Sequence, residues 1–297
     1  MNRLTFIVII TLLHLSTARG EGWNRQWIAS CDSCRGAQIW FTRTICLTQT
    51  PEEAFITATS NGRITVFVNG YNTTTDVLAP YRSGDTTLKS ITCNVVPYIS
   101  NDTCLIAVWY SPFLEHQDGK ELSLTLYGKY ADGRHFAFRT DNNWAWAQAP
   151  ATTLRSPQET EMINSRGTSA TWNTTGLPTP KLLPVRTKST TDDVVTEYQP
   201  QYARKTLVCR LAHSTPTSLT YISPSPFHGW ARVTLRGMKS GTQITVNGLY
   251  YTCNGQMDEQ ACRRFTIPPY TTNTIKITSP SGIKESNVMS VEAIDIY

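Results

Sequence analysis

A period of two in the hydrophobic pattern constrains the fold of this 297-residue chain more than any other feature. Ile56 and Ala58 alternate with threonines, and a second alternating run follows from Ile64 to Val68. Such a pattern is typical of β-strands that bury one face in a core. Asn61 and Gly62 separate the two runs, and Asn-Gly favours the positive φ angles of a tight hairpin turn. The sequence therefore predicts a β-hairpin here.

The segment after this hairpin has the composition of a long loop. A second turn is predicted at Asn69–Gly70, and residues 71–85 are rich in Asn, Thr, Asp, Pro, Tyr and Gly. Long loops on a rigid β scaffold are frequent binding sites. Across the chain, 13 Tyr and 8 Trp favour strands, and no stretch has the capped, periodic pattern of a helix. We therefore predict that the mature chain is all-β.

Five runs of sequence resemble a known enzyme family. WFTRTICL, AFITATSNGRITVFVNG, DVLAPYRSG and CLIAVWY, which lie between residues 40 and 110, are together similar to the N-terminal β-sandwich of bacterial α-L-rhamnosidases. GWARVTLRGMKSGTQITV, residues 229–246, is similar to a second β-sandwich of the same enzymes. The resemblance implies two β-sandwich domains of the jelly-roll, galactose-binding-like type.

The domain organisation follows from this resemblance and from a change in composition. We predict a first β-sandwich domain over residues 21–149 and a second over residues 202–297. Residues 150–201 are rich in Thr, Ser, Pro, Asn and charged residues and lack alternation. That composition predicts an irregular connector between the two domains.

The N-terminus has the pattern of a secretory signal peptide. Arg3 precedes an apolar run from Leu4 to Leu15, and Ala18-Arg19-Gly20 offers a small-x-small cleavage pattern. The run is shorter than the roughly 20 residues that a membrane-spanning helix needs. We expect residues 1–20 to be removed and the protein to be secreted, periplasmic or at the cell surface, without a membrane span.

All eight cysteines lie after this leader. An even number of cysteines in an exported chain suggests disulfide bonds. The predicted bonds join sequence neighbours: Cys31–Cys34, Cys93–Cys104 and Cys253–Cys262. Cys46 and Cys209 then remain and could link the two halves. A redox or zinc site at the first pair is the alternative, but no second Cys pair or His pair accompanies it.

Motifs of catalysis are missing from the sequence. In the resembled enzymes, the acidic catalytic residues lie in an (α/α)₆ barrel that follows these sandwiches, and this chain ends at Tyr297, where that barrel would begin. The sequence has no Gly-x-Ser-x-Gly elbow, no His-Glu-x-x-His and no phosphate-binding glycine loop. We therefore expect no catalysis. The alternative is a glycosidase that uses two of four carboxylates: Asp76, Asp85, Asp132 and Asp141.

The resemblance also indicates a candidate sugar site. Some relatives of the rhamnosidase N-terminal domain bind rhamnose with a calcium ion at a D-x-L-x-P loop, which Asp76, Leu78 and Pro80 match, while Tyr81-Arg82 replaces the following Gly-Trp. Sugars bind to flat aromatic faces and planar polar groups, and carboxylate oxygens suit calcium. The alternative role of such residues is turn formation and core packing. The predicted carbohydrate-binding residues are Asn69, Asp76, Tyr81, Trp109 and Tyr110, with Asp76 as the calcium ligand.

The charge of the chain excludes one class of partner. The formal net charge of +5 falls to +3 without the two leader arginines, which is too weak to indicate nucleic-acid binding. Basic residues recur in the C-terminal half, either as solvated strand edges or as a patch for an acidic polysaccharide. They are Arg204, Lys205, Arg210, Arg232, Arg236, Lys239, Arg263 and Arg264.

Three hypotheses for function follow from the sequence. The first is an exported, non-catalytic carbohydrate-binding protein, related to rhamnosidase accessory domains, that captures plant-type or rhamnose-containing glycans. The second is a structural protein that docks on a partner protein at the cell surface through an edge strand such as Val288–Tyr297. The third is a glycoside hydrolase with an unrecognised site.

Overall fold

The computed structural model describes residues 25–31, 35–74, 88–114, 119–155, 159–168, 171–174, 181–190, 195–197, 202–268 and 270–296. These residues contain no α-helix, only short 3-10 turns, and the all-β prediction is confirmed. The strands are β1 (Arg25–Ala29), β2 (Ala37–Cys46), β3 (Pro51–Ser60), β4 (Gly62–Val68), β5 (Tyr71–Asn72), β6 (Leu88–Asn94), β7 (Thr103–Pro112), β8 (Glu121–Tyr130), β9 (His135–Arg139), β10 (Ala145–Arg155), β11 (Glu159–Asn164), β12 (Leu183–Pro184), β13 (Arg186–Thr190), β14 (Val195–Glu197), β15 (Lys205–Val208), β16 (Arg210–Thr215), β17 (Ser218–Phe227), β18 (Gly229–Leu235), β19 (Gln243–Val246), β20 (Leu249–Thr252), β21 (Glu259–Cys262), β22 (Thr272–Thr278) and β23 (Val288–Asp295).

The strands of the described residues form three sheets. The first has the order β13-β1-β8-β3-β6-β14, with β9 paired to β8. The second is long and runs β16-β17-β22-β19-β20-β11-β10-β2-β7-β4-β5, with β12 paired to β10. The third has the order β15-β23-β18-β21. We call them the first sheet, the long sheet and the third sheet.

The first sandwich packs the first sheet on one half of the long sheet. Ile56 and Leu124 from the first sheet share a core with Phe41, Val66 and Val108 from the long sheet. All five side chains are at most 1% exposed. Along each strand the residues of this core lie at alternate positions, so the alternating hydrophobic pattern in the sequence predicted this core correctly.

A second core lies between the third sheet and the other half of the long sheet. It also contains Trp40 and Trp109, which project from the opposite face of β2 and β7. Strand β2 is therefore buried on both faces, as Ile39 and Phe41 pack in the first core and Trp40 in the second. The alternating pattern predicted one buried face, and the second unit covers the other.

The predicted boundary between residues 149 and 150 falls inside β10. The following strand, β11, pairs antiparallel with β10 and parallel with β20, where Met162 lies opposite Tyr250. The long sheet therefore continues from one unit into the other. Residues 150–201 contribute β11 to β14, so the connector is less irregular than its composition predicted, because its strands complete sheets whose cores lie elsewhere. The division into two domains stays a prediction.

Two Asn-Gly dipeptides behave differently. At Asn69–Gly70 both φ angles are positive, 49° and 89°, and the predicted turn is confirmed because β4 and β5 pair across it. The predicted hairpin at Asn61–Gly62 is wrong, because β3 pairs with β6 and β8 whereas β4 pairs with β5 and β7. The chain changes sheets there. Gly62 instead allows the Tyr110 ring to pack against the backbone, because a Cβ atom at this position would lie 2.5 Å from Cζ of Tyr110.

Two further observations concern the ends of the units. Trp144 and Trp146 are 2% and 6% exposed, which supports packing over sugar stacking. Strand β23 pairs with β15 on one side and β18 on the other, so the edge strand expected for a docking protein is an interior strand. The cause is β15, which covers the side of β23 away from β18. No helix among the described residues is long and apolar enough to cross a membrane.

Candidate functional site

The predicted aromatic face for a sugar is not formed. Trp109 and Tyr110 are each 1% exposed, so neither ring can stack on a ligand in this structure. Adjacent residues of a strand point to opposite faces, and here both faces are covered. Tyr110 packs in the first core and donates its hydroxyl hydrogen to Oδ1 of Asn61 at 2.7 Å. Their assignment as carbohydrate-binding residues is therefore wrong for this conformation.

Asn69 is fully engaged in holding its turn. Its Nδ2 donates to the carbonyl of Tyr98 at 2.8 Å, and its Oδ1 accepts from the backbone N–H of Leu105 at 2.9 Å. The amide thus has a structural role in the turn, and its role as a sugar contact stays a prediction. Asp76 and Tyr81 lie outside the described residues, so their roles, including calcium binding, stay predictions.

The predicted disulfide bonds are not formed among the described residues. Cys104, Cys253 and Cys262 are free thiols, and Cys34 lies outside the described residues. Cys104 is on β7 of the long sheet and Cys93 on β6 of the first sheet, while Cys253 follows β20 of the long sheet and Cys262 ends β21 of the third sheet. Proximity in sequence suggested these pairs, but the fold places the members of the second and third pairs on different sheets; the first pair includes Cys34, which is not described.

Alkylation of the native protein should distinguish exposed cysteine thiols from buried ones. Burial raises the pKa of Cys104 and Cys253 to about 12, so roughly one thiol in 10,000 is ionised at pH 8. We expect iodoacetamide to modify the exposed Cys31 and Cys46 in the native protein while Cys104 and Cys253 stay unmodified, as measured by peptide mass spectrometry. In denaturant all four should react. Equal labelling of Cys104 before and after unfolding would contradict this burial.

A groove lies where β4 and β5 of the first sandwich face the third sheet. It encloses about 470 Å³, within the range of small-molecule sites. We call it the Arg264 groove. Its polar lining comes from both units, and Trp109 lies at its floor. The polar side chains are Thr65, Asn72, Arg232, Gln260, Arg263 and Arg264.

Aromatic packing makes the floor of the groove rigid. Trp109 meets Trp40 edge to face at 5.4 Å between ring centroids and meets Trp172 edge to face at 5.3 Å. Trp172 in turn stacks on Trp40 at 4.8 Å and touches Phe67 at 5.1 Å. Such pairs add to the stabilisation from burial alone. The three tryptophans thus form one packed cluster beneath the groove, as part of the second core.

A buried polar network supports the same floor. The indole N–H of Trp109 donates to Oε1 of Gln38 at 2.8 Å, and Nε2 of Gln38 donates to Oε1 of Glu161 at 2.8 Å. The other oxygen of Glu161 accepts the backbone N–H groups of Arg264 and Phe265 at 2.8 and 3.1 Å. Gln38 and Glu161 are fully buried. Their hydrogen bonds meet the general requirement that buried polar groups be paired.

Arg264 occupies the centre of this arrangement. Its guanidinium carbon lies 4.2 Å from the centroid of the Trp109 ring, a cation–π contact. The residue is exposed to solvent, although desolvation of the guanidinium by the surrounding protein lowers the pKa of Arg264. The carboxylate of Glu161 holds its backbone. Arg264 also lines a neighbouring cavity of about 510 Å³ that contains Asp258 and Glu259. The residue therefore faces two adjoining spaces from a fixed position.

The carboxylates named for a possible hydrolase do not form a pair among the described residues. Asp132 binds Nε of Arg134 at 2.7 Å within its turn, and Asp141 binds Nη1 of Arg43 at 2.5 Å. Asp76 and Asp85 lie outside the described residues. The two described carboxylates thus have structural partners.

The sequence indicated part of this site. Arg232, Arg263 and Arg264 belong to the basic residues that suggested a polysaccharide patch, but Gln38 and Glu161 were missed. Their signal was a polar residue within or next to an apolar alternating run, which often marks a buried hydrogen bond. No sequence rule placed them beside one another, because they are more than 100 residues apart.

Comparison with solved structures confirms the resemblance in fold. The chain superposes on α-L-rhamnosidases from Dictyoglumus thermophilum, from Streptomyces avermitilis in complex with L-rhamnose, and from Aspergillus terreus, with TM-scores of 0.77, 0.74 and 0.78. Sequence identities are 15%, 19% and 15%, so the likeness shows the fold alone. The matches cover 92%, 88% and 92% of this chain but 35%, 28% and 36% of those enzymes. This chain thus spans about a third of their length. No protein-family profile and no curated protein matches it.

Proposed function

We propose that this chain is an exported, non-catalytic carbohydrate-binding protein whose ligand lies in the Arg264 groove. The observation that carries the proposal is a groove of about 470 Å³ lined by planar polar side chains from both units. Amide and guanidinium groups can each bind two neighbouring hydroxyls of a sugar ring, and the groove offers both kinds in Gln260 and Arg264. Asn72 adds its Nδ2 donors, since its Oδ1 accepts from the N–H and hydroxyl of Thr74.

Rhamnose-containing glycans, including those of plant type, are the ligands that we propose to test first. L-rhamnose is bound to the Streptomyces avermitilis enzyme, which shares the fold of this chain. The rigid floor supports binding, because a preformed site loses little conformational freedom when a ligand enters. We also propose that calcium at Asp76 contributes to binding, as the loop motif suggested.

A glycan array with the mature chain, residues 21–297, tests this function with and without calcium. We expect rhamnose-containing oligosaccharides to bind and Gln260→Ala to weaken their affinity by about tenfold, since one hydrogen-bonding side chain is lost. Gln148→Ala is the matched control, because Gln148 is exposed on β10 and does not line the groove. It should bind as the unchanged protein does.

The outcomes separate the two candidate locations. Loss of binding in Gln260→Ala places the ligand in the groove. Loss in Asp76→Ala together with calcium dependence, and none in Gln260→Ala, moves the site to the loop and contradicts the groove. Absence of binding to every glycan, from a protein with an intact cooperative unfolding transition, rejects carbohydrate binding.

A further inference from the structure

The charge of the Arg264 groove is strongly one-sided. Three of its lining residues are arginines, and no Asp or Glu is among its described lining residues. The neighbouring cavity does contain two acids, but both are engaged: Asp258 binds Arg236 at 2.5 and 2.7 Å, and Glu259 accepts the backbone N–H of Asn254 at 2.8 Å. The Arg264 guanidinium therefore faces a groove whose described lining contains no carboxylate that would compete with an anionic ligand.

The three arginines differ in how far their donors are already used. Arg263 is 7% exposed and donates to the backbone carbonyl of Asn247 at 2.9 Å and to Oγ1 of Thr266 at 2.8 Å. Arg232 donates through Nε to Glu292 at 2.6 Å. The guanidinium of Arg264 contacts the Trp109 ring. It makes no hydrogen bond to any residue that the structure describes. Among the described residues, Arg264 therefore has more donors without a protein partner than Arg263, which is largely buried, or Arg232, whose Nε is already used.

Arg264 is also held in place before any ligand arrives. Its backbone N–H is clamped by the buried carboxylate of Glu161, and its guanidinium plane rests on the Trp109 ring. A planar guanidinium presents paired N–H donors that match the two oxygens of a carboxylate or a sulfate. Fixing that plane in advance lowers the entropy lost when an anion binds.

We propose that the Arg264 groove binds an acidic glycan, with the carboxylate or sulfate of one sugar unit on the guanidinium of Arg264. This inference rests on the proposed carbohydrate binding and adds the chemical class of the ligand. The neutral part of the chain then lies along Gln260 and Asn72, which line the same groove. Arg232 contributes little net charge to the groove, because its Nε pairs with the Glu292 carboxylate at 2.6 Å.

Isothermal titration of the mature chain with matched oligosaccharides tests the proposal. The probes are an oligosaccharide of alternating rhamnose and galacturonate, the same compound after reduction of its carboxyl groups, and a sulfated neutral oligosaccharide. We expect the acidic compound to bind about tenfold more tightly than its reduced form, and its affinity to fall as salt is raised. Binding of the sulfated compound shows whether the groove requires a carboxylate or accepts any oxyanion.

Variants locate the anion. In Arg264→Gln the ratio of affinities for the acidic and reduced compounds should fall from about ten towards one. Arg210→Gln is the matched control, since Arg210 is exposed on β16 away from the groove, and it should keep the ratio. Melting temperatures equal to that of the unchanged protein show that both variants are folded. If Arg264→Gln unfolds, Arg264→Lys replaces it, because lysine keeps the charge but loses the planar, paired donors. Equal binding of the acidic and reduced compounds overturns the proposal and leaves carbohydrate binding intact. No binding of any compound rejects both.

Discussion

Glu161→Ala should lower the free energy of unfolding by about 2–5 kcal/mol, because several buried donors lose their acceptor and each unpaired group costs about 1–3 kcal/mol. The fully buried carboxylate accepts hydrogen bonds from the Gln38 side chain and from backbone N–H groups of Arg264 and Phe265. Alanine leaves those donors buried without an acceptor, and each costs free energy in the folded state. Urea denaturation followed by tryptophan fluorescence measures the loss.

Two variants sharpen this test. Glu161→Gln keeps the side-chain volume, so a loss in this variant comes from charge and hydrogen bonding rather than from a cavity. It should lie between the alanine variant and the unchanged protein, because one amide oxygen can still accept the backbone N–H groups. Glu52→Ala is the control, since the Glu52 side chain is 58% exposed. Equal midpoints for Glu161→Ala and Glu52→Ala would disprove the structural role of Glu161.

Trp109→Ala should cost about 3–5 kcal/mol of unfolding free energy, the usual effect of truncating a large buried aromatic side chain. The ring is 1% exposed and packs edge to face on Trp40 and Trp172. Its loss also leaves Oε1 of Gln38 without the indole N–H. The same variant removes the ring beneath Arg264, so acidic glycan binding should weaken as well. Thermal unfolding and titration measure the two effects.

Trp109→Phe separates packing from hydrogen bonding. Phenylalanine retains most of the aromatic contact but no N–H, so we expect a smaller loss of about 1–3 kcal/mol. Tyr71→Ala is the matched control, because Tyr71 is an aromatic residue that is 61% exposed and stacks only at the surface on Tyr98. If Trp109→Ala unfolds at the same temperature as Tyr71→Ala, Trp109 does not contribute to the stability of the second core.

Three of the four Asn-Gly dipeptides in the sequence show how far local rules reach. Asn69–Gly70 and Asn247–Gly248 both have positive φ angles, and the strands on either side of each pair with one another. Asn61–Gly62 has the same chemistry, yet its flanking strands belong to different sheets. Turn propensity is a property of a few residues, whereas strand pairing depends on partners far away in the chain. A local signal could therefore predict two of these turns and not the third.

Alternation, turn chemistry and composition by themselves determined that this chain is all-β and which side chains of β3 and β4 enter a core. The family-like runs also indicated the sandwich fold. Only the tertiary structure decided that the second face of β2 and β7 is covered, which removes Trp109 from the surface. It also decided that Gln38, Glu161 and Arg264 meet. The physical reason is that periodicity reports whether a face is apolar, whereas burial of its opposite face and the pairing of distant polar groups depend on how whole sheets pack.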